Sequence, residues 1–388
     1  VMRINKLGDT LWTKVYTSSS FASIQKTSDS NYIICSGIGH IFKIDVNGNI
    51  IWFKPPYNMS VSTAMIKETL DKGFVLVGVF DAGLTFYPYI LKVDSLGNFQ
   101  WEKTFINICG GAILDIVQTV NKSYATIGDD TISGFILKID SVGNELWLRH
   151  YSNTVGGNSI ILLPDSGYVA GGGTYLFRTD KNGNLIWLRF YSINSRNVFN
   201  RSTARATDGG YAFTGNTDTM GNFNYFVSLV KTDSLGNTQW YRLFGFNDYD
   251  EGFNIRQTSD SGYIIAGIRG NFNGDDIYII KTDKNGFANP PIGIETISGQ
   301  IPKGLKLYQN FPNPFNSETK IMLDIARNVY ISFRVFDLLG REVYSLSGSK
   351  KPGTYAIIFN GSNYPSGMYI YNIESEGISQ TKKMLLIK

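Results

Sequence analysis

Lys43-Ile-Asp45-Val-Asn47-Gly48-Asn49-Ile-Ile-Trp52 is the stretch on which the fold turns. An Asp side chain here accepts from backbone amides two residues on, and the Gly takes the left-handed position that closes a hairpin with a bulge. The spacing therefore makes a turn with a strand on either side. The pattern runs base, any residue, Asp or Asn, two more, Gly, Asn or Asp, two more, Trp. It recurs as Arg3 to Trp12, Lys92 to Trp101, Lys138 to Trp147, Arg178 to Trp187 and Lys231 to Trp240. All six tryptophans of the chain are used, and a seventh, decayed copy from Lys281 through Asp283 and Gly286 to Pro290 lacks the Trp.

The copies follow one another at 40 to 53 residues, and a second element recurs between them: Asp29 to Gly37, Asp71 to Gly78, Asn121 to Gly128, Asp165 to Gly172, Asp208 to Gly215 and Asp260 to Gly267. Each is a turn followed by a short apolar strand, with a further short strand upstream, such as residues 23–27 or 254–258. One period thus holds four strands and no helix-period segment, which is the pattern of a β-propeller blade. The six tryptophans (Trp12, Trp52, Trp101, Trp147, Trp187, Trp240) then occupy one place on every fourth strand. There a large ring fills the wedge between twisted blades while its indole hydrogen meets a carbonyl.

Residues 22–56, 61–105, 112–151, 158–191 and 201–244 each supply a full blade, and residues 252–282 supply three strands of another. The strand around Trp12 is expected to complete that last blade, closing a six-bladed ring without exposed edges. Residues 1–5 read as the tail of an additional strand with no place in that ring, so a parent of seven or eight blades is the alternative. The propeller is expected over 1–287, followed by a Pro, Gly and Ser-rich linker over 288–304. Seven short strands from Leu305 onward, each bounded by Gly, Pro or Asn, predict an immunoglobulin-like β-sandwich over 305–388. The whole chain is expected to be all-β.

The Trp pattern resembles the tryptophan-docking repeat of quinoprotein-type propellers and, more loosely, the Asp-box of sialidase propellers. Both likenesses are architectural. The Asp-box has shorter Asp-to-Gly and Gly-to-Trp steps, and the adjacent cysteine pair of quinoprotein dehydrogenases is absent, so neither activity is carried over. A calcium-loop reading of Asp-x-Asn-Gly-Asn lacks the downstream bidentate Glu of an EF-hand, and most copies have one carboxylate. Neither a metal nor a cofactor is expected.

The C-terminal region carries four ordered motifs: Leu307-Tyr-Gln-Asn-Phe-Pro-Asn313-Pro314-Phe315-Asn316, Val335-Phe-Asp337-Leu-Leu-Gly340-Arg341-Glu342-Val343, Pro365-Ser366-Gly367-Met-Tyr369-Ile-Tyr371, and Thr381-Lys382-Lys383-Met384-Leu-Leu-Ile-Lys388. They resemble the type A C-terminal sorting domain of the type IX secretion system, departing from it at Ser317, where the family usually has a second proline. The resemblance implies export across the outer membrane of a Gram-negative bacterium to the surface or medium. The secretion machinery would be the partner of residues 305–388, and the domain is often removed on arrival. From the residues alone, the same segments read as a stiffened entry strand, a hairpin turn at Asp337 to Gly340 and a basic last strand.

Other classes are set aside by composition. The formal charge of +4 comes wholly from residues 295–388, with 11 Lys+Arg against 7 Asp+Glu, while residues 1–294 balance at 25 each. Without a basic stripe, nucleic acid is not expected as a partner. No run approaches the roughly 18 apolar residues of a membrane span. Cys35 and Cys109 lie in different repeats and are expected to be buried free thiols, and His40 and His150 to be isolated surface or loop residues.

For function the expectation is a secreted, non-enzymatic binding or adhesion module. Its ligand, a glycan or protein, is expected on the loop face formed by residues 192–202, 216–224, 245–251 and 271–276, which are rich in Asn, Asp, Tyr and Phe. The alternative is a carbohydrate-active propeller enzyme of hydrolase or lyase type. Its candidate carboxylates are Asp248, Asp250, Glu251, Asp275 and Asp276, which cluster at the last blade, whereas two carboxylates from different blades converging at the axis would favour an enzyme.

Overall fold

The computed structural model describes all residues except 6, 7, 9, 17–20, 194–195, 219–224, 246–248, 272–273, 289–294, 299–303 and 363. The chain divides into two compact units, Val1–Gly286 and Phe287–Lys388. Every regular element among the described residues is a β-strand, and no helix is long and apolar enough to cross a membrane.

In the first unit, antiparallel sheets follow one another along the chain. Phe21–Lys26, Tyr32–Ser36, Ile41–Ile44 and Ile50–Lys54 form the first complete sheet, each strand bonded to the next in sequence. The same order gives a second sheet from Val61–Glu68 to Phe99–Thr104, a third from Ala112–Gln118 to Glu145–Tyr151 and a fourth from Gly157–Leu162 to Leu185–Phe190. A fifth runs from Arg196–Arg205 to Thr238–Phe244 and carries one additional short strand, Ser192–Ile193. Successive first strands are neighbours, the organisation of a β-propeller.

The expected closure through Trp12 does not form among the described residues. Thr10–Thr13, which carries Trp12, bonds to Met2–Ile4, while Asp250–Gln257, Tyr263–Asn271 and Gly274–Lys281 make a separate three-stranded sheet. The ten-residue pattern is itself a hairpin, so each Trp pairs with the base that opens its own copy: Arg3 with Trp12, Lys43 with Trp52, and so on to Lys231 with Trp240. Among the described residues the unit holds seven sheets, five of them complete, and Trp12 is not joined to the last three strands.

Within each turn the Asp is saturated by its own loop. Asp45 Oδ1 accepts from the amides of Asn47 and Asn49, both at 2.8 Å, and Oδ2 accepts from Asn49 Nδ2 at 3.0 Å. The same three bonds recur at Asp94, Asp140, Asp180 and Asp233. At Asp233 the side-chain amide of Asn237, then its backbone amide, hold the carboxyl below its usual range.

The turn glycines serve the seam between sheets. A Cβ on Gly48, Gly97, Gly183 or Gly236 would stand 2.8–2.9 Å from the tryptophan of the preceding copy, and all four have φ near +80°. Each Trp ring thus rests on the next turn, and also meets the aromatic that opens the next sheet's second strand, as in Trp101 against Tyr124 at 6.2 Å and Trp240 against Tyr263 at 6.0 Å. A Tyr four or five residues beyond the Trp completes the clamp. Tyr16, Tyr151 and Tyr191 donate to the carbonyls of Gly48, Gly183 and Gly236 at 2.7–2.9 Å, and Tyr57 to that of Gly97. The indole of Trp12 donates to Val46 O at 3.0 Å, whereas Trp187 Nε1 is buried without a partner, so the carbonyl expected for every indole is not met there.

Glycines of the second strands serve a different need. Every complete first strand has a register shift near its start, at Thr63/Met65, Ile113/Asp115, Gly157/Ser159 and Asn200/Ser202 among others, the mark of a β-bulge. Opposite the bulge stand Gly78, Gly128, Gly172 and Gly215, where a Cβ would fall onto a carbonyl oxygen of the bulged strand. Between the sheets lie the apolar cores, as where Val75, Val77 and Ile90 meet Ile113, Ile116 and Phe135.

The second unit is a sandwich of two four-stranded antiparallel sheets around one core. One contains Lys306–Leu307, Glu318–Ile325 and Gly353–Asn360, and the other Val329–Phe336, Glu342–Lys350, Gly367–Ser375 and Ile378–Leu386. Ile321, Leu323 and Phe359 of the first sheet share a core with Phe333, Val335, Tyr371 and Met384 of the second. The fourth strand of the first sheet, Glu295–Ser298, pairs with Gly353–Asn360 and lies inside the segment expected to be a linker. Gly353–Asn360 would otherwise leave one edge unpaired, and a nearby stretch of chain with Thr and Ile satisfies it.

Cys35 is buried as expected, its thiol pushed up to about 12 by burial, but Cys109 is exposed beside Thr85 Oγ1 at 3.3 Å. Position 109 falls on the turn between the second and third sheets rather than within a strand.

Seam burial sets the expected mutational costs. Trp187 is 7% exposed while Trp101 is half-buried, so Trp187→Ala should cost about 3–5 kcal/mol and Trp101→Ala less, read as the shift in urea unfolding. Gly128→Ala should be at least as damaging as Trp101→Ala, because the Ala112 backbone on one side and the Phe135 ring on the other must move. A Gly128→Ala protein as stable as the parent would contradict this account of the bulges.

Candidate functional site

The bulged first strands do more than pack. From Val61–Glu68, Ala112–Gln118, Gly157–Leu162, Arg196–Arg205 and Asp250–Gln257 they jointly line a cavity of about 450 Å³. Polar side chains stitch the lining together across sheets. Asp115 accepts from Lys67 Nζ at 2.5 Å on one side and from the Ile160 amide at 3.0 Å on the other. Ser159 Oγ accepts from the Thr203 amide at 3.1 Å, and Asn158 Nδ2 donates to Asn200 O at 2.8 Å. Sequence reading missed this lining, because its residues differ from repeat to repeat; the available signal was the polar scatter at one strand position, Asp115, Ser159, Ser202 and Asn254.

Of the acidic cluster read from the sequence, Asp248 lies outside the described residues, and so do the side-chain surroundings of Asp275. Asp250 and Glu251 are buried. Glu251 accepts from Arg201 Nε at 2.6 Å and from Tyr249 OH at 3.0 Å, and Asp250 stands 3.6 Å from Arg269 Nε. Asp276 is exposed on the edge strand Gly274–Lys281. The expected loop face is only partly described, since residues 194–195, 219–224, 246–248 and 272–273 fall outside.

His150 is not isolated. Its Nδ1 stands 3.6 Å from Asp130 Oδ2 and 3.4 Å from Ser133 Oγ, a contact made because the turn at 130–133 folds over the neighbouring outer strand. Both partners meet the same ring nitrogen, so the ring does not relay a proton between them as a nucleophile-activating histidine must. His40 Nδ1 meets Ser36 Oγ at 3.2 Å. Among the described residues no three His, Cys, Asp or Glu gather as a metal site.

In the second unit the four C-terminal motifs are brought into two groups. Asn313 to Asn316 runs beside the last strand: Phe315 N donates to Leu385 O and Ile387 N to Phe315 O, both at 2.9 Å, and Asn313 Oδ1 accepts from the Leu385 amide at 2.9 Å. The Phe315 ring is buried in the core, and Pro314 follows Asn313 through a cis bond. Asp337, Arg341 and Glu342 line one groove of about 480 Å³ with Ser366, Gly367 and Tyr369, and Leu338 and Leu339 stand exposed at its edge. Gly340 (φ +78°) and the Asp337 carboxylate repeat the turn of the first unit, with Arg341 Nε at 2.7 Å in place of the Asn amide.

Lys388 joins the groups, its amide donating to Ser366 Oγ at 3.0 Å and its Nζ to Ser362 O at 2.7 Å. Lys382 and Lys383 pair across the strand with Tyr371 and Ile370. Asn310 is a buried hub the sequence did not single out, donating from Nδ2 to Pro312 O and Thr319 Oγ1, both at 2.9 Å.

Residues 309–388 match the model of the secretion system C-terminal sorting domain. The chain is therefore a secreted or cell-surface protein of a Gram-negative bacterium, with a propeller-type unit carried ahead of a type IX sorting domain. No curated protein matches it. Similar solved structures include a protein of unknown function from Bacteroides caccae (14% identity, 61% of this chain and 86% of that one, TM-score 0.46). The Dos1 propeller (11%, 92% and 80%, 0.47) and a catalytically inactive virginiamycin B lyase from Staphylococcus aureus with quinupristin (13%, 79% and 92%, 0.47) are others.

One lysine departs from the repeat. In four of the complete sheets the base that opens the copy reaches the Asp of the second element, as Lys43 to Asp29 at 2.6 Å, Lys92 to Asp71 at 3.0 Å, Arg178 to Asp165 at 2.6 Å and Lys231 to Asp208 at 2.7 Å. In the third sheet the Asp is Asn121, and the buried Lys138 donates instead to Tyr168 OH of the next sheet at 2.8 Å. Burial without a carboxylate pushes the Lys138 ammonium down to about 8 from 10.5. Between those values the unfolded chain holds a proton that the folded chain lacks, so this lysine's penalty is full below about pH 8 and fades as pH rises toward 10.5. Asn121→Asp should stabilise the protein at pH 7 by about 1–3 kcal/mol and lose that advantage as pH climbs through the window. Urea unfolding of both proteins from pH 7 to 10.5 measures it, and a difference independent of pH would refute the assignment.

Proposed function

We propose that the protein is a secreted, non-enzymatic binding module. The propeller unit holds a small ligand in the cavity between its first strands, and the immunoglobulin-like sandwich engages the type IX secretion machinery. The observation that carries the reading is the cavity itself: five neighbouring strands present charged, amide, hydroxyl and aromatic side chains to one concave space of about 450 Å³. That size lies within the range of about 300–1,000 Å³ common for small-molecule sites. A glycoside hydrolase of the usual kind would need two carboxylates facing one another across such a space. Among the described lining residues the one carboxylate is Asp115, already neutralised by Lys67.

Two experiments bear on this. Incubating the purified chain with acidic and neutral oligosaccharides should give complexes by native mass spectrometry and no shortened products by chromatography. Time-dependent cleavage abolished by Asp115→Asn would replace the binding reading with the enzymatic one. For export, residues 287–388 fused to an unrelated periplasmic passenger should carry it to the surface in a host with type IX secretion. Retention of a folded fusion in the periplasm would remove the sandwich from that role.

A further inference from the structure

The charged residues of the cavity do not balance. Its lining contains Lys67, Arg201, Arg205 and Arg256 against the single carboxylate of Asp115. Two of those cations are neutralised: Lys67 by Asp115 at 2.5 Å, and Arg201 by Glu251, just behind the lining, at 2.6 Å. Asp115 has nothing further to offer, since it also accepts from the amides of Ile116 at 2.8 Å and Ile160 at 3.0 Å. Arg205 and Arg256 remain, both with exposed side chains and neither with a carboxylate partner among the described residues. The hydrogen bond from Arg256 Nη1 to Ile255 O is long, at 3.5 Å.

Two guanidinium groups turned into one concave space repel each other, and the low-dielectric walls focus their field on whatever enters. A guanidinium presents paired N–H donors at the spacing of a carboxylate or phosphate oxygen pair, a match no neutral hydroxyl makes. Phe253, at the bulge of the strand that carries Arg256, is 46% exposed and lines the same cavity, so an apolar ring face is available to the rest of the ligand.

We infer that the cavity takes a small oxyanion-bearing ligand, its carboxylate or phosphate held by Arg205 and Arg256. This rests on the binding reading above and adds the ligand's chemical class. Both arginines lie on first strands of the propeller unit, one sheet apart, and no other pair of cations in the lining is left unneutralised.

The test is isothermal titration of the full-length protein at low salt with three probes: glucuronate, inorganic phosphate and neutral glucose. Glucuronate or phosphate should bind saturably at one site, and glucose at least about tenfold more weakly. Arg205→Gln and Arg256→Gln should each weaken the oxyanion about tenfold while leaving thermal unfolding unchanged. Binding of glucuronate but not phosphate would identify the carboxylate as the recognised group, and the reverse would identify the phosphate. Equal affinity for glucose and glucuronate would overturn the inference and leave the binding reading standing. Saturable binding of neither oxyanion, or oxyanion binding indifferent to both substitutions, would overturn it as well.

Discussion

The first unit depends on one contact: a tryptophan ring laid on a glycine turn of the neighbouring sheet. The glycine is needed twice over. Its φ near +80° closes the hairpin, and its bare Cα lets the ring approach to a distance a Cβ would occupy. Because the same ten residues supply the turn for one sheet and the ring for the next seam, local hairpin chemistry and long-range packing are set by one pattern. The tyrosine hydroxyls at Tyr16, Tyr151 and Tyr191 then tie down the glycine carbonyl that the turn leaves open. Stability in such an array is carried largely by each sheet and its nearest neighbour.

This explains which parts were legible in the sequence. The hairpins, the strands around them and the repeat length follow from Asp, Gly and Trp at fixed spacing, and those residues act within ten positions of one another. The pairing of Trp12 with Arg3 is implicit in the same spacing, whereas the placement of that hairpin beside a particular sheet depends on contacts far along the chain. Glu295–Ser298 was hidden by its Pro and Gly-rich flanks, since an edge strand is recruited by the open strand it meets. The cavity was least visible. Its character comes from side chains 40 to 50 residues apart that no local pattern links, and the bulge that aims them is marked only by a glycine on the opposite strand.

The C-terminal unit poses the opposite case, with conspicuous motifs whose physical roles the sequence did not separate. Asn313 to Asn316 looked like a stiff entry segment, but its backbone pairs with the closing strand at Leu385 and Ile387. The edge at the end of the chain is thereby covered over that stretch. The Asp337 turn and the Ser366–Tyr369 segment, about 30 residues apart, come together in a groove flanked by exposed leucines. A composition-based reading of surface lysines and turns had no means of joining them.

The decayed copy from Lys281 to Pro290 keeps Gly286, whose open Cα receives the ring of Trp240, but offers no tryptophan of its own. Every seam of the unit is therefore directional: one copy donates a ring, the following copy receives it, and the relation is never reciprocal. The last copy is a receiver alone. A side chain at Gly286 would unseat Trp240. The receiving half of the pattern thus does its packing work even where the donating half is missing.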